Sequence, residues 1–206
     1  MKKFFTNVSL QIRGQLARYV YQAVGNERLQ MEEPTSFPIL TAVNGYVKSG
    51  EEFRLIAVLP DSEDGRRNLA ALQSEIEALC AKNGVRCPRG VETVDAPPDE
   101  RVSSHMATFQ RLIDFVEDGD ELFACVTFGT KPMSMAVLMA VRYAYRLKRD
   151  VSISCVVYGQ IDRSGAENHA YVYDETALAQ MDEILRLLAE RGVENPRRVL
   201  DSILSP

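Results

Sequence analysis

The sequence is poor in the residues that usually hold a metal ion or cross-link a secreted domain. Its 206 residues include two histidines, His105 and His169, and four cysteines, none of them in a CxxC pair. Neither histidine has cysteines at zinc-ligand spacing, so we expect no metal site. Cys125 and Cys155 lie within apolar runs, where a free thiol behaves as a small hydrophobic side chain. This cysteine usage is typical of a reducing compartment and predicts a cytoplasmic protein.

The chain also lacks a basic charge excess and long apolar segments. Its formal net charge is −5, which excludes a bulk basic footprint for duplex nucleic acid but still allows a local basic pocket. The longest apolar segment, residues 133–141, is too short to span a bilayer, and the first residues turn polar too early for a signal peptide. With 46% hydrophobic residues, the chain can bury a core. We therefore expect a globular protein that binds neither duplex nucleic acid nor a membrane.

Apolar runs alternate with segments of helical spacing. Residues 53–60 and 121–128 are continuous apolar runs, the pattern of strands buried on both faces. Between them, residues 66–83 carry apolar side chains at helical spacing. Such alternation predicts an α/β, Rossmann-like fold with a mainly parallel sheet and helices on both faces. We place this domain at residues 1–174 and a small C-terminal helical extension at residues 175–206.

Three other segments give weaker local signals. Residues 16–24 are rich in aromatic and β-branched types before a Gly-Asn turn, which favours a hairpin arm, with a helix as the competing interpretation. Residues 85–94 predict a weak strand that Pro88 either restricts to a sheet edge or shortens. Ser103 or Ser104 is expected to cap the helix that follows.

Residues 126–141, VTFGTKPMSMAVLMAV, place a glycine and a lysine between a buried strand and an apolar helix. Pro132 suits the first turn of a helix, and the residue before a proline favours extended geometry, which predicts Lys131 at the N-cap. The free N–H groups of a first helical turn attract anions, and Gly129 lets the backbone approach a ligand. A solvated turn with one charge is the alternative. The full P-loop pattern GxxxxGK[ST] is absent, which disfavours that type of NTP hydrolysis.

A second polar segment, TNVS, follows the first strand. Because ligands of such sheets bind at the carboxyl ends of the strands, this segment should face the same crevice as the glycine–lysine loop. Tyr158, at the end of a later strand, is interpreted as a core or interface aromatic in preference to a base-stacking platform. The sequence shows no Ser/His/Asp set, assigns no catalytic residue and indicates no cofactor. The candidate ligand-binding residues are Thr6, Asn7, Val8, Ser9, Thr127, Phe128, Gly129, Thr130, Lys131 and Pro132.

The two loops, TNVS at residues 6–9 and VTFGTKP at residues 126–132, resemble the ligand-binding motifs of the CARF domain. This domain is the CRISPR-associated Rossmann-fold sensor of cyclic oligoadenylates in type III CRISPR systems. The resemblance covers about residues 1–175 and implies a homodimer that binds cyclic tetra- or hexa-adenylate across its two-fold axis. It also implies a role in antiviral defence, with a fused effector or a separate partner effector. The chain departs from the fused pattern, because too few residues follow Asp174 to form a nuclease domain.

Three functions are compatible with these residues. The first is a sensor of the ring, either standing alone or cut from a longer effector. The second is a metal-independent ring nuclease, in which the protein orients a ribose 2′-hydroxyl for in-line attack on its own phosphate. The third is a Rossmann-like enzyme that acts on a phosphorylated metabolite, although the absence of GxGxxG disfavours a dinucleotide.

Overall fold

The computed structural model describes residues 1–10, 14–165 and 167–204, which form one seven-stranded sheet with helices packed against it. The strands are β1 (Lys2–Asn7), β2 (Tyr21–Val24), β3 (Phe53–Leu59), β4 (Val91–Asp95), β5 (Glu121–Cys125), β6 (Ser152–Asp162) and β7 (His169–Asp174). The helices are α1 (Ile39–Tyr46), α2 (Glu63–Asn83), α3 (Val102–Ile113), α4 (Lys131–Leu147), α5 (Thr176–Glu190) and α6 (Pro196–Leu204), with a short 3-10 helix at Glu27–Leu29. The predicted α/β fold with a mainly parallel sheet is confirmed.

The strands lie in the order β2-β7-β6-β5-β1-β3-β4. The neighbouring pairs are parallel except β6 and β7, which form an antiparallel hairpin. β1 pairs with β3 on one side and with β5 on the other, so the direction of sheet growth reverses at β1. Such a topological switch point opens a crevice outside the carboxyl ends of the strands, where ligands of open α/β sheets bind. α4 follows β5 at this edge.

Buried side chains form two core clusters that share the strands between them. Phe4 belongs to the first cluster and Phe5 to the second, as expected because successive side chains of a strand point to opposite faces. The first cluster contains residues of α1 and α2, and the second contains residues of α3, α4 and α5. The ring of Phe4 stacks on that of Phe123 with centroids 4.3 Å apart, which links β1 to β5. This contact helps to hold together β1 and β5, the two strands beside the switch point.

The structure corrects the prediction for residues 16–24. They form no hairpin arm and no helix; only Tyr21–Val24 is a strand, and it pairs in parallel with β7 at the sheet edge. Just before it, Tyr19 and Thr35 exchange backbone hydrogen bonds of 3.0 and 2.9 Å. Aromatic and β-branched residues suit such a half-buried edge strand as well as they suit a hairpin. The strand predicted at 85–94 is confirmed in a shorter form, because β4 at the opposite edge begins only at Val91.

The predicted serine cap of α3 is wrong. The N-cap is Arg101, and its side chain forms no capping hydrogen bond. Asp99 instead accepts hydrogen bonds from the backbone N–H of Arg101 at 3.0 Å and from Ser104 Oγ at 2.6 Å. A carboxylate that precedes the helix therefore satisfies these donors, and it also complements the positive end of the helix dipole.

Candidate functional site

The four residues predicted to form a polar loop after β1 are buried. Thr6, Asn7, Val8 and Ser9 are between 0% and 4% exposed, and the first two are the last residues of β1. The loop prediction is wrong for Thr6 and Asn7, because pairing with β3 continues to the carboxyl end of β1, whereas Val8 and Ser9 follow the strand as predicted. Val8 extends this pairing with a 2.9 Å hydrogen bond from its N–H to the carbonyl of Val58, and it belongs to the first core cluster.

Asn7 lies at the switch point. The nitrogen of its side-chain amide is hydrogen-bonded, whereas the oxygen has no partner among the described residues. Its Nδ2 donates a hydrogen bond of 2.9 Å to the carbonyl of Phe128, which ties β1 to the loop after β5. Its Oδ1 is buried and has no hydrogen-bond partner within the described ranges. Leaving a buried acceptor unpaired costs about 1–3 kcal/mol, so such an atom calls for a functional explanation. A donor from a ligand, or from the loop after ligand binding, would remove this cost.

Gly129 passes directly over Asn7. Its φ is +89°, a conformation that residues with a side chain rarely adopt, and a Cβ there would lie 3.0–3.2 Å from the Asn7 side chain. The carbonyl of Phe128 also accepts a 3.1 Å hydrogen bond from Ser134 Oγ, which fixes the loop against α4. Glycine is therefore needed both for the turn and for the close approach to the asparagine.

α4 begins at Lys131, one residue earlier than predicted. The N-cap is Thr130, extended at φ −73° and ψ 159°, and its carbonyl accepts a 3.1 Å hydrogen bond from the N–H of Ser134. Lys131 and Pro132 occupy the first helical turn. The first four N–H groups of a helix have no intrahelical partner, so a proline there sacrifices no hydrogen bond. Helix formation thus outweighs the preference of the pre-proline residue for extended geometry.

The start of α4 lacks the negative groups found at the start of α2. In α2, Ser62 caps the helix, and the acidic residues Glu63 and Asp64 lie in the first turn. In α4 the first turn contains no acidic residue, and Oγ1 of Thr130 is buried without a partner in the described part of the chain. Lys131 is exposed and forms no ion pair or hydrogen bond with the described residues. The positive end of the helix dipole and a lysine therefore coincide without a counter-ion in this turn, which attracts an anion.

Thr127 attaches the loop to β6. Its Oγ1 accepts a hydrogen bond of 2.8 Å from the N–H of Gly159 and lies 3.1 Å from Sγ of Cys125. This contact places Tyr158 beside the loop. Tyr158 is 39% exposed, so it is not a core residue, and its alternative interpretation as an interface aromatic stays a prediction. The contact of Asn7 with the glycine loop was not predicted, because it joins residues far apart in the sequence.

A cleft of about 840 Å³ opens on the other side of the α4 start, next to the carboxyl ends of β3 and β4. Thr130 lines it together with two arginines, Arg66 and Arg111. Each arginine pairs with an exposed aspartate, at 3.1 and 3.5 Å respectively. Glu100 adds a third carboxylate, so acidic side chains outnumber basic ones among the lining residues. Lys131 is not among them.

The described residues contain no group of three or more His, Cys, Asp and Glu side chains placed to hold a metal ion. In the same ranges, no helix is both long and apolar enough to cross a membrane. Burial raises the pKa of Cys87 to about 11 and that of Cys155 to about 12, so both are poor nucleophiles near neutral pH. The chain matches no protein-family model and no curated protein sequence.

Gly129→Ala is expected to destabilise the protein more than Gly50→Ala. The two glycines have φ values of +89° and +84°, so either substitution incurs a backbone strain of about 1–2 kcal/mol. A Cβ at Gly50 meets nothing within 4 Å, whereas one at Gly129 presses on Asn7. Such overpacking adds about 1–3 kcal/mol to the loss in free energy of unfolding, measured by urea denaturation. Equal losses of unfolding free energy in the two variants would show that the Asn7 side chain moves aside at no energetic cost.

Proposed function

We propose that this protein is a cytoplasmic sensor of cyclic oligoadenylates, which binds a ring of four or six adenylates across a homodimer in CRISPR-associated antiviral defence. The proposal combines the resemblance of the two loops to CARF motifs with the anion site at the start of α4. One observation carries it: the helix N-terminus that bears Lys131 has no side-chain cap and follows a glycine turn that contacts Asn7, a fully buried residue whose Oδ1 is unpaired among the described residues.

A ring of phosphodiesters supplies the groups that this site lacks. Its phosphates can accept hydrogen bonds from the first-turn N–H groups of α4 and from Lys131. Its hydroxyl and amino groups are donors, which an unpaired amide oxygen requires. Either such a donor, or a loop N–H turned toward Asn7 on binding, would satisfy Oδ1.

The exposed face of α4 supports self-association next to this site. Met135 is 62% exposed and Met139 is 45% exposed, and Val102 and Met106 of the adjacent α3 are exposed as well. Apolar side chains clustered on a surface often mark an interaction site. In a two-fold symmetric dimer, the same face meets itself, so a contact here would bring both copies of Lys131 toward one axis. Two lysines and two helix N-termini would then hold a single ring.

The cleft of about 840 Å³ supports a second candidate, a Rossmann-like enzyme that acts on a phosphorylated metabolite. A single chain forms the cleft, and Arg66 and Arg111 could contact a phosphate. We favour the sensor because both arginines are already paired with aspartates, and the lining residues carry more acids than bases. An anion would meet repulsion there, whereas Lys131 has no ion-pair partner among the described residues.

Calorimetric titration with cyclic tetra- and hexa-adenylate tests the sensor, with molecular mass measured by analytical ultracentrifugation. We expect one ring for every two chains and an affinity that falls as salt rises, because contacts made by exposed cations are screened. AMP and a sugar phosphate are the controls and should bind much more weakly. Absence of heat with both rings would contradict the sensor, and saturable binding of the sugar phosphate to a monomer would favour the metabolite enzyme.

Incubation of the ring with the protein tests whether the ring is cleaved. Labelled ring is incubated with the protein in EDTA and the products are separated. Linear product would identify a metal-independent ring nuclease, in which the chain positions a ribose 2′-hydroxyl and stabilises charge on the attacked phosphate. Unchanged ring with intact binding would identify a sensor without nuclease activity.

A further inference from the structure

Three tyrosines form an exposed stripe on the sheet. Tyr158 of β6 lies opposite Tyr173 of β7, and Tyr171 lies two residues away on the same face of β7. The ring centroids of Tyr158 and Tyr173 are 6.4 Å apart with planes inclined by 30°, and those of Tyr171 and Tyr173 are 6.3 Å apart. Tyr158 is exposed and the other two are partly exposed. We call these three residues the tyrosine stripe.

The tyrosine stripe lies on the same face of the sheet as α4. Val156, two residues before Tyr158, belongs to the core cluster that contains α4, and side chains two positions apart share a face of a strand. The next residue of β6, Gly159, donates its N–H to Thr127, four positions before Lys131. The part of β6 that carries Tyr158 is therefore bonded to the loop that leads to the anion site.

Two neighbours of the tyrosine stripe on the same face carry amides, whereas Val24, opposite Tyr173, is apolar. Gln160 of β6 lies opposite Tyr171, and Gln22 of β2 flanks Tyr171 on the other side. Both glutamines are exposed. Aromatic rings provide faces on which nucleobases stack, and amide side chains can both donate to and accept from base edges. The combination suits an uncharged base more than a phosphate.

We propose that the tyrosine stripe is the stacking platform for bases of the nucleotide ligand whose phosphates bind at the start of α4. The inference rests on the proposed function and adds the residues that contact the bases. A helix N-terminus alone recognises any phosphate, whereas a platform beside it selects ligands that carry bases. Because cross-strand tyrosines also stabilise a hairpin, the test separates stacking from stability.

Ring affinity is measured by calorimetry for Tyr158→Ala and Tyr173→Ala at one salt concentration. Because one substitution removes two stacking contacts from a ring bound across the dimer, binding should weaken by at least about 30-fold. Tyr158→Phe and Tyr173→Phe keep the ring face and should bind within about threefold of the unaltered protein. Tyr145→Ala is the matched control, because Tyr145 is also 39% exposed but lies near the far end of α4. Thermal unfolding of each variant shows whether the hairpin is intact.

A ring with 2-aminopurine in place of adenine gives a second readout. Stacking quenches its fluorescence, so binding to the unaltered protein and to the Phe variants should quench it more than binding to Tyr158→Ala. If both tyrosine-to-alanine variants bind the ring with full affinity while Lys131→Ala binds it more weakly, the stacking platform is contradicted. The proposal that the protein is a sensor then still holds. If Tyr158→Ala becomes monomeric, the stripe is a contact between copies, which also overturns the platform. If the unaltered protein binds no ring, both the sensor and the stacking platform are contradicted.

Discussion

Lys131→Ala is expected to weaken ring binding by at least about 100-fold, and Lys131→Glu to abolish it. In a symmetric dimer one substitution removes two lysines from the ring, and each charge-assisted hydrogen bond contributes about 1.5–3 kcal/mol. The sum of about 3–6 kcal/mol corresponds to a factor of roughly 10² to 10⁴ in affinity. Lys131 is exposed, so the free energy of unfolding should change by less than about 0.5 kcal/mol. Calorimetric titration and urea denaturation measure the two quantities.

Lys148→Ala is the matched control for Lys131. Lys148 is the C-cap of α4, where the helix dipole is negative and a phosphate gains nothing. Its removal should leave ring affinity unchanged at both low and high salt. Equal affinities of the two alanine variants would contradict a phosphate site at the start of α4, even if the protein binds the ring.

Lys3→Ala is expected to cause the largest loss of stability. Lys3 is fully buried, and its Nζ lies 2.7 Å from the carbonyl of Phe115, from Oε2 of Glu117 and from Oδ2 of Asp120. Asp120 is itself 2% exposed, and among the described residues its other ion-pair partner is the amino group of Met1 at 3.5 Å. Removing one partner of a buried ion pair costs about 3–5 kcal/mol, because the other charge stays desolvated.

Urea denaturation followed by circular dichroism measures this loss, since the chain has no tryptophan. Lys2→Ala is the control: Lys2 pairs with the partly exposed Glu51, and such a surface pair contributes at most about 1 kcal/mol. The double variant Lys3→Met/Asp120→Leu should recover much of the loss, because apolar replacement of both partners is often neutral. A loss below about 1 kcal/mol in Lys3→Ala would show that water reaches Asp120.

Some elements could be predicted because their signal is local. Residues 53–60 and 121–128 are predominantly apolar, and β3 and β5 lie within them, because a strand that is covered on both faces needs apolar side chains on both faces. The glycine turn and the start of α4 were placed to within one residue. Glycine and proline restrict or release their own backbone, so their effect does not depend on distant partners.

Other elements depend on partners far along the chain. Residues 16–24 suit any half-buried strand, and only β7 shows that Tyr21–Val24 is a parallel edge strand. The exposure of Tyr158 depends on which helices cover the end of β6. Propensity describes what a segment can become, whereas pairing and coverage are decided by the rest of the fold.

The sequence by itself determined an α/β sheet and a glycine–lysine turn that opens an apolar helix, because periodicity and turn chemistry act within a few residues. Only the tertiary structure decided that this turn covers Asn7. The asparagine bonds to the carbonyl of Phe128 from 121 positions away, and it can do so only because β1 lies beside β5. Long-range strand pairing brings these strand ends together, and with them the amide oxygen of Asn7 and the side chain of Lys131, neither of which has a partner among the residues that the structure describes.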